Sequence, residues 1–577
     1  MTNAHIADAF DLIGDILEFK GENPFRVRAY RNASRTIRDY PESIAALVEL
    51  GKEKLKGIEG IGDDLAAKIM TLVQTGSLPQ LEELKTQVPD SVLALLRIPG
   101  VGPKKAAALH KELGIKTLAE LKAACDAGAV RNLKGFGEKT EQVILQGMTI
   151  AQQGTQRMYW AEADQIVAEL REHMAACKSI EELEFTGSYR RGKETIGDLD
   201  ILVVSGDVNQ VMDRLAAYPE ITQTLARGDT KMSIRIASGL QIDLRVVPAE
   251  SFGAAMQYFT GSKEHNVILR GMAKDKGLKI NEWGVFRVKG EKEERIAGTS
   301  EKEVYDTLKL PVFPPELREG RREFEWAATG KLPQLVTAED IRGDLHMHTT
   351  ATDGSASIEE MVAAARARGL SYIAITDHSQ RVSMARGLNA ERLLAQWAEI
   401  DQVRKKLPKG FTLLKGIECD ILEKGGMDLP DDVLAQADWV IASIHYGQKQ
   451  PRQQITERIL GAIANPHVSL VAHPTGRLIN RREAYEVDLD AVMAAAKKHK
   501  KLLELNANPQ RLDLNDVYCA AARQHGIPIV INTDAHSPDG LDVLRFGILQ
   551  ARRGGLTKED VANTRPWPQV KKLIGAK

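Results

Sequence analysis
Long hydrophobic runs are missing from this 577-residue chain. No stretch stays apolar for the roughly 20 residues that a membrane-spanning helix requires. The amino terminus, MTNAHIADAF, reads as a polar helix start without signal-peptide character. Cysteine is scarce. Cys125, Cys177, Cys419 and Cys519 form no CxxC pair, which excludes a disulfide framework, fits a reducing cytosol and reads them as small buried hydrophobes. The net charge is only −1, so the chain lacks the overall basic excess of a general nucleic-acid binder. That balance conceals local contrast, because basic turns alternate with acidic strands. What is present is the composition of a soluble globular protein, 43% hydrophobic and 27% charged. The length is too great for a single core and predicts three or more domains.

The most informative stretch is LEFTGSYRRGKETIGDLDILVV, residues 183–204. An alternating apolar run ends in Gly187-Ser188, a polar turn with Arg190 and Arg191 follows, and Gly197 leads into a second strand. Residues two apart in a strand share a face, so Asp198 and Asp200 project together. Two carboxylates that close call for a cation, and Mg²⁺ held against a triphosphate is the expected use. The Gly-Ser turn offers backbone amides and a hydroxyl to phosphate oxygens, assisted by the arginines. Downstream, KMSIRIASGLQIDLRVV reads as two strands joined by a Ser-Gly turn. Asp243 lies in the second, with Gln241 and Arg245 on its face. An acidic residue inside an apolar strand needs a partner or a metal. In AMQYFTGSKEHNVILRGMA, Tyr258-Phe259 and Gly261-Ser262 precede a helix that carries Asn266 and Arg270 on one face.

These motifs together resemble the X family of DNA polymerases, the DNA polymerase beta-like branch. The resemblance implies that Asp198, Asp200 and Asp243 bind two catalytic Mg²⁺ (or Mn²⁺) ions, with Asp243 also activating the primer 3′-hydroxyl. It places Gly187, Ser188, Arg191 and Gly197 on the triphosphate and Tyr258 and Phe259 beside the nucleotide sugar, with Gly261 also among the nucleotide-binding residues. Asn266 would meet the minor-groove edge of the base, and Arg270 the template strand. Lys263 and His265 depart from the acidic and aromatic residues of the animal repair enzyme.

Residues 1–150 read as short amphipathic helices separated by Gly-x-Gly turns: Gly60/Gly62, Gly100/Gly102 and Gly135/Gly137. Paired glycines admit a phosphate close to the backbone, and the following helix presents its first amides. This helix-hairpin-helix pattern, with Lys104 and Lys105 after the second turn, predicts sequence-independent binding to DNA backbone. The segment also resembles the small amino-terminal domain of the same polymerases, which binds the 5′ end of a gap. That resemblance aligns Lys68 with a lysine that forms a Schiff base with an abasic sugar in some members. Arg26 and Asp64 stand where supporting lysines would be, and Asp64 would raise the Lys68 pKa.

After a Pro-rich connector, seven apolar runs ending in polar residues alternate with helical stretches: GDLHMH, YIAITDH, LLKGIECD, WVIASIH, SLVAHP, LLELNAN and IVINTDAH. Strands separated by helices predict a parallel sheet, and functional residues at strand ends mark a distorted (β/α)7 barrel. The endings nominate His346, His348, Asp353, His378, Glu418, His445, His473, Asp534 and His536 as ligands for two or three Zn²⁺ or Mn²⁺ ions. His467, His499 and His525 fall elsewhere and are read as non-ligands. This half resembles the polymerase and histidinol phosphatase (PHP) domain, a family of metal-dependent phosphoesterases. The resemblance places Glu418 between two metals, Arg477 on a substrate phosphate, and Asn506 and Asn508 at the mouth.

The expected architecture is therefore multidomain α+β and α/β. It comprises a lyase-like helical domain (1–85), helix-hairpin-helix fingers (86–150), a nucleotidyltransferase palm (151–250), a small thumb (251–317), a linker (318–340) and the barrel (341–577). The joint resemblance is to bacterial and archaeal family X DNA polymerases. It implies a monomeric, cytoplasmic and nucleoid-associated repair enzyme that fills gaps with dNTPs on gapped or nicked DNA. The barrel would add 3′–5′ exonuclease activity and processing of abasic sites or 3′ ends. Two alternatives are an untemplated nucleotidyltransferase fused to a small-molecule phosphoesterase, and a DNA-end binding module with relic sites.

Overall fold
The computed structural model describes residues 3–39, 44–58, 60–88, 95, 101–133, 135–138, 140–141, 144–145, 157–290 and 292–575. The chain forms two compact units, Met1–Gln156 and Arg157–Lys577.

The first unit is helical. Asn3–Phe19 and Pro24–Asp39 share an apolar core built from Phe10, Ile13, Leu17 and Tyr30, joined by Ile69 and Leu109 from later helices. Asp63–Thr75 starts directly after Gly62, and Pro103–Leu113 directly after Gly102. Pro103 suits the first helical position, where no backbone N–H is needed. Gly60 and Gly135 have φ of 86° and 85°, left-handed values that a Cβ disfavours.

In the second unit, residues 157–247 form a five-stranded sheet. Its strand order is Ile180–Phe185, Asp198–Ser205, Gln241–Val247, Lys231–Ile236 and Ile221–Arg227. The second and third strands are parallel, in a register that sets Asp200 opposite Asp243. The apolar alternation of these strands buries Leu199, Ile201, Ile242 and Leu244, which leaves the carboxylates on the other face. Phe252–Thr260, Lys263–Asp275 and a three-stranded antiparallel sheet follow. Residues 318–340, expected to link two halves, form a packed strap in which Arg318, Glu319 and Glu323 are buried.

Seven parallel strands in sequence order, from Gly343–Asp344 to Ile529–Asn532, then build the barrel. The pairing of Met347 with Ala535 brings its first and last strands together. Leu345, Tyr372, Leu414, Trp439, Leu470, Leu502 and Val530 form an inner core. The terminal helix Trp567–Leu573 covers it, with Trp567 against Tyr372 and Trp439. That plug leaves the carboxyl ends of the strands as the end available for chemistry.

Candidate active sites
The palm carboxylates meet as the strand pattern predicts. Asp198 is exposed, Asp200 half-buried and Asp243 nearly buried. Burial, followed by the charges of Asp198 and Asp243, pushes the Asp200 carboxyl up to about 7, the signature of crowded acids awaiting a cation. Asp243 accepts from Ser233 Oγ and from Gln241 Nε2 (3.0 Å), and Lys231 Nζ lies 3.4 Å away. Gly187 sits against the triad: a Cβ there would fall 2.6 Å from Asp200 Oδ2 at a φ of +63°. Next to it the Ser188 hydroxyl is buried without a hydrogen-bond partner. That orphaned donor beside three carboxylates fits phosphate oxygens arriving with divalent cations.

The two arginines of the turn differ. Arg190 binds Glu301 with both Nη atoms (2.9 and 2.8 Å) and Thr260 Oγ1 at 2.7 Å, so it braces the thumb rather than assisting a phosphate. Arg191 donates through Nε to Glu319 (3.0 Å) and through Nη1 to the Thr260 carbonyl, and among the described residues no hydrogen bond engages Nη2. Gly197 lies under Arg157, whose Nη1 would be 2.7 Å from a Cβ. Tyr258 and Phe259 stack edge to face, and Arg245 covers the Phe259 ring at 4.7 Å. Gly261 ends the helix that carries them. Asn266 is engaged within the thumb, donating to the Tyr258 carbonyl (2.8 Å) and accepting from Gln257 (2.7 Å). Arg270 and Lys263 are exposed. His265 points into the thumb core between Glu323 Oε1 (3.0 Å) and Tyr305 Oη (2.9 Å), so its departure from the family pattern falls on packing.

In the first unit, Lys104 is exposed at the start of a helix whose first turn has no acid, a ready phosphate contact. The helix after Gly62 begins Asp63-Asp64 instead, which weakens that end for anions. Gly137 closes a turn followed by Glu138, and Gly100 lies outside the described residues. Lys68 pairs with Asp64 and lies over the Tyr30 ring at 5.4 Å. Burial lowers its pKa, but the Asp64 and Tyr30 interactions outweigh that and leave it raised. A charged ammonium is a poor Schiff-base nucleophile.

All nine barrel residues converge. Three groups have ligand atoms close enough to share an ion: His348, Asp353, His378 and His536; His346, His348 and Asp534; and His378, Glu418 and His445. Glu418 is central. Its Oε2 faces His378 Nδ1 (2.8 Å) and His346 Nε2 (3.4 Å), while Oε1 faces His473 Nε2 (3.1 Å) and His445 Nε2 (3.5 Å). His346 Nε2, His348 Nδ1, His378 Nδ1 and Glu418 Oε2 are buried with no hydrogen bond. Lone pairs aimed at one another in this way fit a set of divalent ions. Burial, then neighbouring His378, pulls His348 down to about 4, so its imidazole is neutral and able to ligate. His467, His499 and His525 belong to none of the three groups.

Supporting residues escaped the sequence reading. Glu504 accepts from His346 Nδ1 (2.7 Å) and from the His473 backbone amide (2.8 Å), and Asp420 holds His445 Nδ1 at 2.9 Å. Such partners orient ligands, and the only trace of them in sequence is an acid inside an apolar strand. Asn506 donates to Asp534 Oδ2 (3.0 Å), whereas Asn508 folds its own turn. Arg477 does not reach into the mouth as expected. It is partly buried and bound to Glu194 of the palm at 3.2 and 2.7 Å.

A palm with three facing carboxylates, followed by a histidine-rich barrel, defines a nucleotidyl-transferring enzyme with a second, metal-dependent centre. Comparison with known proteins agrees. Residues 157–247 match the DNA polymerase beta palm and 255–319 the DNA polymerase beta thumb. Residues 344–508 match the PHP domain, 1–78 a helix-hairpin-helix domain, and 92–147 a SAM-like helix-hairpin-helix tandem. The chain is 39% identical over 576 residues to the DNA polymerase/3′-5′ exonuclease PolX of Bacillus subtilis (strain 168), covering 100% of this chain and 99% of that protein. Its C-terminal part is 30% identical over 234 residues to a probable phosphatase of Thermoanaerobacter sp. (strain X514), covering 38% of this chain and 89% of the relative. The chain belongs to the family X DNA polymerases that carry a PHP domain.

Proposed function
We propose that this chain fills gaps in DNA from a template and trims 3′ ends in the barrel. The observation that carries the reading is the orphaned Ser188 hydroxyl beside the facing carboxylates Asp198, Asp200 and Asp243. Two Mg²⁺ or Mn²⁺ ions held there would supply charge neutralisation on the attacking and leaving oxygens. Asp243, fixed by Ser233 and Gln241, takes the proton of the primer 3′-hydroxyl. Ser188 and the amides after Gly187 hold the triphosphate, with Arg191 Nη2 directed to the same anion. Tyr258, Phe259 and Gly261 bound the sugar, Asn266 meets the base once released from Tyr258, and exposed Arg270 meets the template strand. In the barrel, the nine ligands suit two or three Zn²⁺ or Mn²⁺ ions, and Glu504 and Asp420 keep the His346 and His445 imidazoles in place. The name of the Bacillus subtilis relative, a DNA polymerase/3′-5′ exonuclease, supports a DNA 3′ end as substrate there.

The helical unit, divided near residue 85, serves as the backbone clamp, and the thumb and barrel meet within 318–340. The enzyme acts as a monomer on gapped or nicked DNA at the nucleoid. No helix among the described residues is long and apolar enough to cross a membrane. Lyase chemistry at Lys68 would first require Asp64 to let go of the amine.

The test is a gapped duplex with each of the four template bases, incubated with dNTPs and Mg²⁺ or Mn²⁺, following extension and degradation together. Template-matched extension supports the reading. Extension that ignores the template indicates an untemplated nucleotidyltransferase, and no turnover of either kind indicates a binding module.

A further inference from the structure
The triphosphate turn of the palm, residues 187–194, is gripped by the barrel. The helix Leu544–Arg553 lies along it. Leu549 packs so closely on Gly192 that a Cβ there would be 2.5 Å from its Cγ. Arg553 donates to the Arg191 carbonyl at 2.7 Å and to Glu319 at 2.9 Å, and is itself held by Asp516 at 2.8 Å. Glu319 is the carboxylate that fixes Arg191 Nε, and it also meets Lys193 at 3.3 Å. At the other end of the turn, Arg477 binds Glu194 with both Nη atoms. The Tyr189 carbonyl accepts from Trp160 Nε1 at 2.9 Å, and Trp160 packs on Phe546 of the same barrel helix.

Arg553, Glu319 and Asp516 are buried charges paired with one another. Burial pushes the Glu319 carboxyl up, but Arg553, Lys193 and Arg191 together hold it well below the usual carboxylate range. Buried ion pairs add little net stability, yet removing one partner leaves a costly bare charge and shifts its neighbours. The neighbour here is Arg191, whose Nε and Nη1 are committed and whose Nη2 remains for the triphosphate. The turn's first residue touches Asp200. A line of direct contacts therefore runs from the barrel to the catalytic carboxylates.

We infer that the barrel forms one wall of the polymerase nucleotide site, with Arg553 and Arg477 acting as positioning residues for nucleotidyl transfer. This rests on the polymerase reading of the palm. The barrel thus has a second role that needs none of its metals. It moulds the turn so that Arg191 meets the incoming triphosphate.

The experiment uses the full chain, single-nucleotide gap filling at varied dNTP, 3′-end degradation and barrel metal content. Arg553→Met lowers kcat/KM for dNTP on the order of 100-fold, as expected when a charged group is misplaced by about 1 Å. The loss falls mainly in KM, degradation and bound metal stay as in the parent protein, and Arg553→Lys recovers part of it. Should Arg553→Met fail to fold, Arg477→Gln alone and paired with Glu194→Gln provide the measurement: the single variant binds dNTP poorly, and the pair, which restores a neutral hydrogen bond, recovers. Folded variants with parental KM and kcat overturn the inference, and so does an equal loss of both activities with a lower melting temperature. A parent protein that fails to extend the gap, or that extends it unchanged after Asp198→Ala, overturns the polymerase reading instead.

Discussion

Gly187→Ala is the smallest change that disturbs the polymerase centre without touching a ligand. Gly187 has a φ of +63°, and an added Cβ would lie 2.6 Å from Asp200 Oδ2 and 3.6 Å from its Cγ. Two costs follow. The left-handed backbone costs an L-residue about 1–2 kcal/mol, which lowers stability modestly. The clash forces the carboxylate, the turn or both outward by about 1 Å, a displacement that costs about 100-fold in rate. That equals about 2.7 kcal/mol of transition-state stabilisation, at 1.36 kcal/mol per tenfold. The assay is pre-steady-state insertion of one nucleotide into a gap, with 3′-end degradation measured on the same preparation. The expected outcome is a loss in insertion of that size, little change in degradation and a slightly lower melting temperature. Insertion at the parental rate by a folded Gly187→Ala would refute the reasoning, since it would mean that the turn and Asp200 do not act as one unit.

Asp198→Ala and Asp200→Ala each remove a palm carboxylate, and gap filling should fall by orders of magnitude while degradation persists. Glu418→Ala should abolish degradation and release more than one ion per chain by metal analysis, because Glu418 faces His346, His378, His445 and His473; His346→Ala should release closer to one. Lys104→Ala should weaken duplex binding for all sequences alike and reduce the log–log salt slope by about 0.9, measured by anisotropy titration. His265 is depressed by burial, which outweighs the pull of Glu323. Protonation therefore favours the unfolded chain, and stability falls as pH drops below about 6.5, by at most about 1.4 kcal/mol per pH unit. Denaturant unfolding at pH 7.5 and 5.5 should show a smaller pH effect in His265→Phe than in the parent.

Much of both sites was legible in sequence because the relevant geometry is local. Strand alternation alone puts Asp198 and Asp200 on one face and identifies Asp243 as an acid out of place in an apolar strand. Runs of apolar residues ending in His, Asp or Glu mark strand ends, and parallel strands joined by helices bring such ends to one rim. Gly60 and Gly135 advertise left-handed turns because a Cβ is disfavoured there. The readings that changed concern partner choice. Arg190 and Arg191 are neighbours in one turn, yet Glu301 claims the first and Glu319 the second. Nothing within a few residues of either arginine distinguishes them.

By itself, then, the sequence determined which elements form, which faces they bury and which side chains stand at strand ends, because backbone period and burial act over a few residues. Only the tertiary structure decided that Asp200 lies opposite Asp243, a matter of register between residues 43 positions apart. It also decided that Arg477 serves the palm rather than the barrel mouth, and that His265 faces the thumb core. A guanidinium near a metal centre looks the same in sequence whether it awaits a phosphate or is already bound to a carboxylate 283 residues away. Charge carries no address along the chain. The docking of barrel against palm supplies one, by bringing the Glu194 carboxylate within reach of both Nη atoms.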